Sequence, residues 1–261
     1  MYVLLTDESN LEPNEGIKFF TYGGLIVPVA NLAALHERIA QARKTAGYSP
    51  TDKLKFETKS RPKSVSLEAA TVAKKAVVAA AIELNCKFIA YVVLHAIAKN
   101  KDVQTNIQFG ANSVIAKFNV YLSQQKAHGI VAMDRLPKGT EFEYLAEKFT
   151  KGLALPKGEA QALDRVVMFS STCINASHVS SAMDIVLGTW RYCINQPLNA
   201  AAAKDMMRQL VKLIWHVPVG ENIMAHELGL LFRPREVKHA AYKEEYDALL
   251  KHLNLLLKED A

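Results

Sequence analysis

Cysteine, long apolar runs and several common catalytic motifs are scarce or missing in this sequence. Its cysteines number only 3 and show no C-x-x-C spacing, so disulfides and a zinc site are disfavoured and buried, reduced thiols in a cytoplasmic protein are expected. No apolar run approaches the ~20 residues that a membrane helix needs, and no basic start precedes a long apolar stretch, so we expect neither membrane insertion nor secretion.

The missing motifs exclude several enzyme classes. No serine lies in a G-x-S-x-G turn, and His226-Glu227 lacks a second histidine four residues on, which argues against a serine hydrolase and a zinc protease. Gly23-Gly24 lies inside a strand-like run with no helix start or Lys-Ser/Thr after it. We therefore interpret this pair as a bulge or a close backbone approach, and not as a phosphate-binding loop.

The composition is that of an ordinary globular protein. The chain has 261 residues, of which 50% are hydrophobic, so it can bury a sizeable core as one large domain or two small ones. The net charge of +6 permits a polyanionic partner such as RNA or DNA but does not require one.

Hydrophobic periodicity predicts an α/β protein. We expect an α/β core over residues 1–197 with inserted helices, and a helical C-terminal extension over 198–261 that packs on the core or on a partner subunit, so a homo-oligomer is left open. Phe232-Arg233-Pro234 is predicted to be a loop. The predicted strands are Tyr2 to Asp7, Phe19 to Val27, Cys86 to Leu94, Ile130 to Met133 and Asp164 to Ser170, the first two as an antiparallel pair; the predicted helices are Asn31 to Thr45, Ser66 to Leu84, Asn106 to Gln125, Glu141 to Phe149, Val179 to Ile194, Ala200 to Trp215 and about Val237 to Leu257.

Acidic residues follow two of these strands and one lies on a later helix. Asp7 ends the first strand, Asp134 ends the run Ile130 to Met133, and Asp184 lies beside the apolar face of a helix. Functional sites of α/β proteins cluster at strand ends. The alternatives are that Asp7 opens a surface turn and that Asp184 is a partly solvated structural residue.

This order of elements is the layout of a ribonuclease H-like mixed sheet flanked by helices, in which strand ends and a late helix present acidic groups together. Clustered carboxylates repel each other unless hard divalent cations lie between them, so Mg²⁺ or Mn²⁺ is the predicted cofactor. Asp7, Asp134 and Asp184 are the predicted metal ligands and catalytic residues. Glu57 is predicted as a fourth ligand or as the residue that orients a water.

A basic segment precedes the second predicted helix. Its cations are predicted to draw in the phosphate backbone of a nucleic acid, and an exposed Phe56 could stack on a base. The alternative is a solvated loop. The predicted nucleic-acid-binding residues are Lys53, Lys55, Lys59, Arg61 and Lys63.

Three short motifs resemble the bacterial and phage family of unknown function numbered 3800. They are Asp7-Glu8-Ser9 with the strand Phe19 to Gly24 after it, Ser180 to Gly188, and Leu231-Phe232-Arg233-Pro234. Asn10, Ser181 and Met183 stand where that family's usual pattern differs. The resemblance implies a ribonuclease H-like fold and a metal-dependent nuclease, in a phage-defence or mobile-element setting.

The sequence leaves three functions open. The first is a divalent-metal-dependent nuclease that hydrolyses phosphodiester bonds of RNA or DNA. The second is a catalytically inactive ribonuclease H-like module that binds nucleic acid or protein. The third is a phosphotransferase of the actin-like branch of the fold, for which the Gly23-Gly24 pair is too slight a phosphate-binding feature.

Overall fold

The structure is a computed structural model that describes residues 1–13, 16–98, 102–134, 136–154, 160–173, 176–195, 198–220 and 222–257. Its strands are β1 (Tyr2–Ser9), β2 (Phe19–Pro28), β3 (Lys87–Leu94), β4 (Gly129–Met133), β5 (Leu153–Ala154), β6 (Ala160–Gln161), β7 (Val166–Ser171), β8 (Val217–Val219), β9 (Asn222–Met224) and β10 (Leu230–Arg233). Its helices are α1 (Leu32–Thr45), α2 (Leu67–Glu83), α3 (His95–Ala98), α4 (Val103–Gln124), α5 (Glu141–Lys151), α6 (His178–Ile194), α7 (Ala200–Leu213) and α8 (Ala240–Leu257).

A mixed sheet of six strands in the order β10-β3-β2-β1-β4-β7 forms the centre of the molecule. The pairs β1–β2 and β2–β3 are antiparallel, and α1 and α2 lie in the chain between β2 and β3. The pairs β1–β4 and β4–β7 are parallel. This arrangement of β3-β2-β1-β4-β7 is the ribonuclease H-like sheet, so the predicted fold and the predicted antiparallel β1–β2 pair are both confirmed.

Helices cover both faces of the sheet and bury two hydrophobic cores. Gly23 and Gly24 allow helices to pack closely on opposite faces of β2. A Cβ at Gly23 would lie 2.8 Å from the Met183 side chain of α6, and one at Gly24 would lie 2.6 Å from the Val114 side chain of α4. The β1–β2 register is regular through both glycines, so they serve close backbone approach and not a bulge.

The C-terminal region differs from the predicted helical extension. Phe232 and Arg233, predicted to be in a loop with Pro234, belong to β10, which pairs in parallel with β3 at the edge of the sheet. Tyr246 of α8 fixes this edge, because its hydroxyl accepts a hydrogen bond from the Leu94 N–H at 2.8 Å and donates one to the Arg233 carbonyl at 2.5 Å. A four-residue strand is too short to show a period of two, and the adjacent proline favoured the loop interpretation.

The burial of the cysteines and the apolar character of the helices bear on two further expectations. Cys86 and Cys193 are buried, whereas Cys173 is exposed, so the prediction of buried thiols is wrong for Cys173. Among the described residues, no helix has the length and apolar character that crossing a membrane requires.

Candidate active-site cleft

The register of the parallel strands brings Asp7 and Asp134 together. Thr6 of β1 and Met133 of β4 are the last paired residues of the two strands. Asp7 and Asp134 therefore follow that pair side by side, and the Asp134 N–H donates to the Thr6 carbonyl at 3.3 Å. On the other side of β4, the Thr172 N–H donates to the Met133 carbonyl at 2.8 Å. Asp7, Asp134 and Thr172 thus lie just beyond the carboxyl ends of the two parallel pairings, β1–β4 and β4–β7.

Helix α6 adds Asp184 to this edge. The helix starts after Ser177, whose side chain accepts from the Val179 N–H, and it packs on β1 and β2. Met183 enters the space over Gly23, and this packing fixes the rotation of the helix. The half-buried Asp184 accepts a hydrogen bond from the Phe56 N–H at 2.6 Å. A residue of the late helix is therefore tied directly to the basic segment.

These residues line a cleft of about 260 Å³. The three aspartates predicted as metal ligands all lie in its wall, as does Lys55 of the basic segment. The complete lining is Leu5, Thr6, Asp7, Glu8, Lys55, Asp134, Thr172, Ser180, Met183 and Asp184. The chain thus gathers acidic side chains that are far apart in sequence.

The electrostatics of the cleft reflect the density of carboxylates. Withdrawal from solvent, together with repulsion by Glu8, Asp134 and Asp184, raises the pKa of Asp7 from 3.8 to about 8, although the Glu8 N–H opposes the shift by donating to it. Burial also raises the pKa of Asp184, while the Phe56 N–H and the Lys55 charge act in the opposite direction. Without a cation, Asp7 is therefore mostly protonated at neutral pH.

The donor set fits a hard divalent cation. Carboxylate oxygens are the ligands that Mg²⁺ and Mn²⁺ prefer, and a cation would relieve the repulsion that raises the pKa of Asp7. Within the described part of the chain, no three acidic, histidine or cysteine side chains stand close enough to form a ready-made metal site. Binding of one ion by all three aspartates would therefore require side-chain movement in the cleft.

The basic segment lies beside the cleft in a defined conformation. Lys55 is half-buried and lines the cleft, whereas Lys53, Lys59 and Lys63 are exposed. Arg61 donates to the Val65 carbonyl and so holds the loop together. Of the five residues predicted to bind nucleic acid, Lys55 thus lies in the cleft wall and Arg61 makes a contact within the loop. The other three are exposed and can meet a nucleic-acid strand.

Phe56 is not the exposed base-stacking residue that the sequence suggested. It is half-buried, and its ring fills the space over Gly188 of α6, where a Cβ would come within 2.3 Å of it. Its carbonyl accepts from the Lys74 Nζ at 2.7 Å. Phe56 is therefore an anchor for the basic segment.

Glu57 lies outside the cleft. It is exposed, precedes a short 3₁₀-helix over Thr58–Ser60, and its carboxylate accepts from the Lys59 N–H at 3.0 Å. The structure brings together Asp7, Asp134 and Asp184 but not Glu57. The role predicted for Glu57 at the metal therefore stays a prediction without geometric support.

Sequence reasoning left out four polar side chains of the cleft, those of Thr6, Glu8, Thr172 and Ser180. Glu8 lies in the wall beside Asp7, and the Thr172 and Ser180 hydroxyls are 3.1 Å apart. Glu8 was available from the Asp-Glu pair, and Thr172 from the polar exit of the last large strand. Ser180 stood in the sequence only as the start of the segment Ser180 to Gly188 that resembles family 3800, and it becomes part of the cleft through the packing of α6.

The fold and the cleft together define a ribonuclease H-like protein with a carboxylate-lined cleft at the carboxyl ends of its parallel strands. No family model matches the chain, and no curated protein matches it. The resemblance to family 3800 therefore stays a prediction.

Two solved structures are similar to this chain. A point mutant of Bst-RNase HIII is 13% identical, with 82% of this chain and 65% of that chain covered and a TM-score of 0.38. Bst-RNase HIII in complex with Mn²⁺ is 11% identical, with 96% and 71% covered and a TM-score of 0.37. The chain spans 65% of the length of the first of these proteins. The fold assignment rests on the strand order of this chain and not on these similarities.

Proposed function

We propose that this protein is a divalent-metal-dependent nuclease that hydrolyses phosphodiester bonds of RNA or DNA. The observation that carries the proposal is the presence of Asp7, Asp134 and Asp184 in one cleft of a ribonuclease H-like sheet. The raised pKa of Asp7, caused by burial and by the neighbouring carboxylates, supports a cation as the partner of this group.

The chain's own residues divide the work. Asp7, Asp134 and Asp184 would hold Mg²⁺ or Mn²⁺, and the Phe56 N–H, which donates to Asp184 Oδ2, would keep that carboxylate in place. Lys55, the cation in the cleft wall, offsets the charge of the phosphate. When bound, the metal supplies activation of the attacking water and stabilisation of the leaving oxygen. The hydroxyls of Thr172 and Ser180 are placed to orient a phosphate oxygen or a water.

A cleavage assay tests this function. The purified protein is incubated with labelled single-stranded and duplex RNA and DNA in Mg²⁺, Mn²⁺ or EDTA, beside Asp7→Ala and Asp134→Ala. We expect cleavage only with metal, and a loss of at least a hundredfold in both variants, because metal positioning and charge stabilisation are worth several kcal/mol. Folding of each variant is checked by thermal denaturation.

A second candidate is an inactive ribonuclease H-like module that binds nucleic acid. It is favoured by the lack, within the described residues, of three ligand side chains already within reach of one ion. Binding without cleavage in every metal would select this candidate over the nuclease. Hydrolysis of free nucleotides without strand scission would contradict both.

A further inference from the structure

A second and larger cavity adjoins the cleft. It measures about 830 Å³ and lies between α2, α6, α7 and the basic segment, a volume within the range of small-molecule binding sites. Its wall combines apolar and aromatic side chains with cations. The lining includes Phe56, Val78, Ala79, Arg191, Tyr192 and Met206.

Two consecutive residues of the basic segment line the cleft and the cavity. Lys55 lines the cleft and Phe56 lines the cavity. On α6, Asp184, Gly188 and Arg191 follow the i, i+4, i+7 spacing and share one helix face, so the first and last lie about 10 Å apart along the helix axis. Phe56 packs over Gly188 between them. The same helix face therefore runs from the metal-binding carboxylates to the cavity.

Arg191 is the cation in the cavity that has donors to spare. Lys75 is paired with Asp205 at 2.9 Å, and Lys74 donates to the Phe56 carbonyl. The Arg191 guanidinium lies 5.8 Å from the centre of the Phe56 ring. Among the described residues its side chain makes no hydrogen bond or ion pair, although the Glu57 and Asp184 carboxylates lie in its field. The Arg191 guanidinium can thus form an ion pair with a bound anion and donate hydrogen bonds to it.

We propose that this cavity binds one nucleotide of the strand whose scissile phosphate lies in the cleft. The inference rests on the proposed nuclease function and names a substrate subsite for it. The phosphate of that nucleotide pairs with Arg191, and its base packs against Tyr192 and the apolar wall formed by Val78 and Met206. Apolar walls with one placed cation suit a flat base that carries a phosphate, because stacking tolerates any base while the cation fixes the backbone.

Two methionines allow the cleft and the cavity to be observed separately. Met183 lines the cleft and Met206 lines the cavity, while Met224 is exposed on β9 and serves as an internal control. Protein with ¹³C-methyl methionine and the substitution Asp7→Asn, which prevents cleavage, is titrated in Mg²⁺ with short oligothymidine and oligouridine strands. We expect the Met183 and Met206 signals to shift together and the Met224 signal to stay constant.

Two further variants test the contacts. Arg191→Gln is expected to weaken strand binding about tenfold, with Arg191→Lys retaining most of the affinity, because a charge-assisted contact to phosphate is lost only in the first. Ala79→Phe fills the cavity from α2 and is expected to abolish the Met206 shift while the Met183 shift remains.

The outcomes distinguish the two proposals. A shift of Met183 alone would overturn the cavity subsite and leave the nuclease proposal intact. No shift at either methionine with any strand would overturn the nuclease proposal itself. A shift of Met206 alone, reproduced by uridine or thymidine monophosphate, would show a free-nucleotide site and would also overturn the subsite.

Discussion

At the scale of single residues, Asp7 has the most unusual environment in the cleft. Its pKa of about 8, against an ordinary value of 3.8, results from desolvation and three neighbouring carboxylates. The folded protein therefore keeps a proton that the unfolded chain releases above about pH 4. Without metal, the free energy of unfolding should consequently fall as the pH rises between 3.8 and about 8, and level off above that value.

The variant Asp7→Asn should remove this pH dependence. Asparagine is neutral at every pH, so in EDTA the variant should be more stable than the wild type at about pH 8 by an amount on the order of a few kcal/mol, and similar to it at about pH 4. Urea denaturation at both pH values measures this difference. Saturating Mg²⁺ should stabilise the wild type at about pH 8 more than it stabilises the variant. Parallel pH profiles for the two proteins in EDTA would contradict the proposed charge state.

Asp184 has two roles that different substitutions separate. Its Oδ2 holds the basic segment through the Phe56 N–H, and its charge is proposed to hold the metal. Asp184→Asn keeps an acceptor for the N–H and loses the charge, whereas Asp184→Ala loses both. We expect both variants to lose metal-dependent cleavage. An unsatisfied buried N–H costs about 1–3 kcal/mol, so only Asp184→Ala should expose the segment, with tryptic cleavage there about tenfold faster.

Limited proteolysis with mass spectrometry identifies the cleaved bonds in these two variants. The segment offers trypsin Lys53, Lys59 and Lys63 on its exposed surface. Digestion elsewhere on the chain serves as the internal reference, since those sites should be cut at the wild-type rate. Equal rates for Asp184→Asn and Asp184→Ala within the segment would show that the Phe56 contact does not fix it.

At the scale of elements, the packing of the basic segment on α6 depends on Gly188. A Cβ there would lie 2.3 Å from the Phe56 Cβ and Cγ. Alanine gains about 0.5–1 kcal/mol over glycine inside a helix, but an overpacked contact costs about 1–3 kcal/mol. We therefore expect Gly188→Ala to lower the free energy of unfolding by roughly 1 kcal/mol and to raise KM for nucleic acid, with kcat less affected.

A second substitution decides whether Phe56 is the cause. In a Phe56→Gly background the atoms that the added methyl group would meet are absent, so Gly188→Ala should then stabilise the helix by its intrinsic preference. Urea denaturation of the four proteins of this cycle measures the coupling. A destabilisation of the same size in both backgrounds would show that the methyl group clashes with something other than Phe56.

The elements differ in how well the sequence predicts them. Long periodic segments such as α4 and α6 were predicted within a few residues, because an apolar face repeats over several turns. The segment Phe232-Arg233-Pro234 was assigned to a loop, but its first two residues belong to β10, which forms only because β3 offers it an unpaired edge. Local sequence carries no information about that edge.

At the scale of the whole molecule, the ribonuclease H-like sheet was predictable except for β10, and the cleft was only partly predictable. Asp7 and Asp134 follow apolar runs, and parallel strands bring their carboxyl ends to one edge, so the sequence indicates their proximity. The position of Phe56 depends on Asp184 and Gly188, more than a hundred residues away. Phe56 was therefore predicted to be exposed, and Glu57 was predicted at the metal although it lies outside the cleft.

The net charge of +6 matters at this scale through its distribution. Lys53, Lys59 and Lys63 are exposed beside the cleft, so they can neutralise the phosphates of a bound strand. Each phosphate contact to a single strand contributes about −0.7 to the slope of log K against log salt. Changing all three lysines to glutamine should therefore make the slope shallower by up to about 2 and weaken binding at low salt, with little effect on stability.

Fluorescence anisotropy over a series of salt concentrations measures this slope, with the Asp7→Asn substitution present in every protein to prevent cleavage. The matched control changes Lys126, Lys212 and Lys251, which are also exposed. Lys126 precedes β4 and therefore lies at the amino end of that strand, whereas the cleft lies at its carboxyl end. Both triple variants lower the net charge by the same amount. If binding responds only to net charge, the two will have equal slopes, and the basic segment is then a solvated loop with no specific contact to the strand.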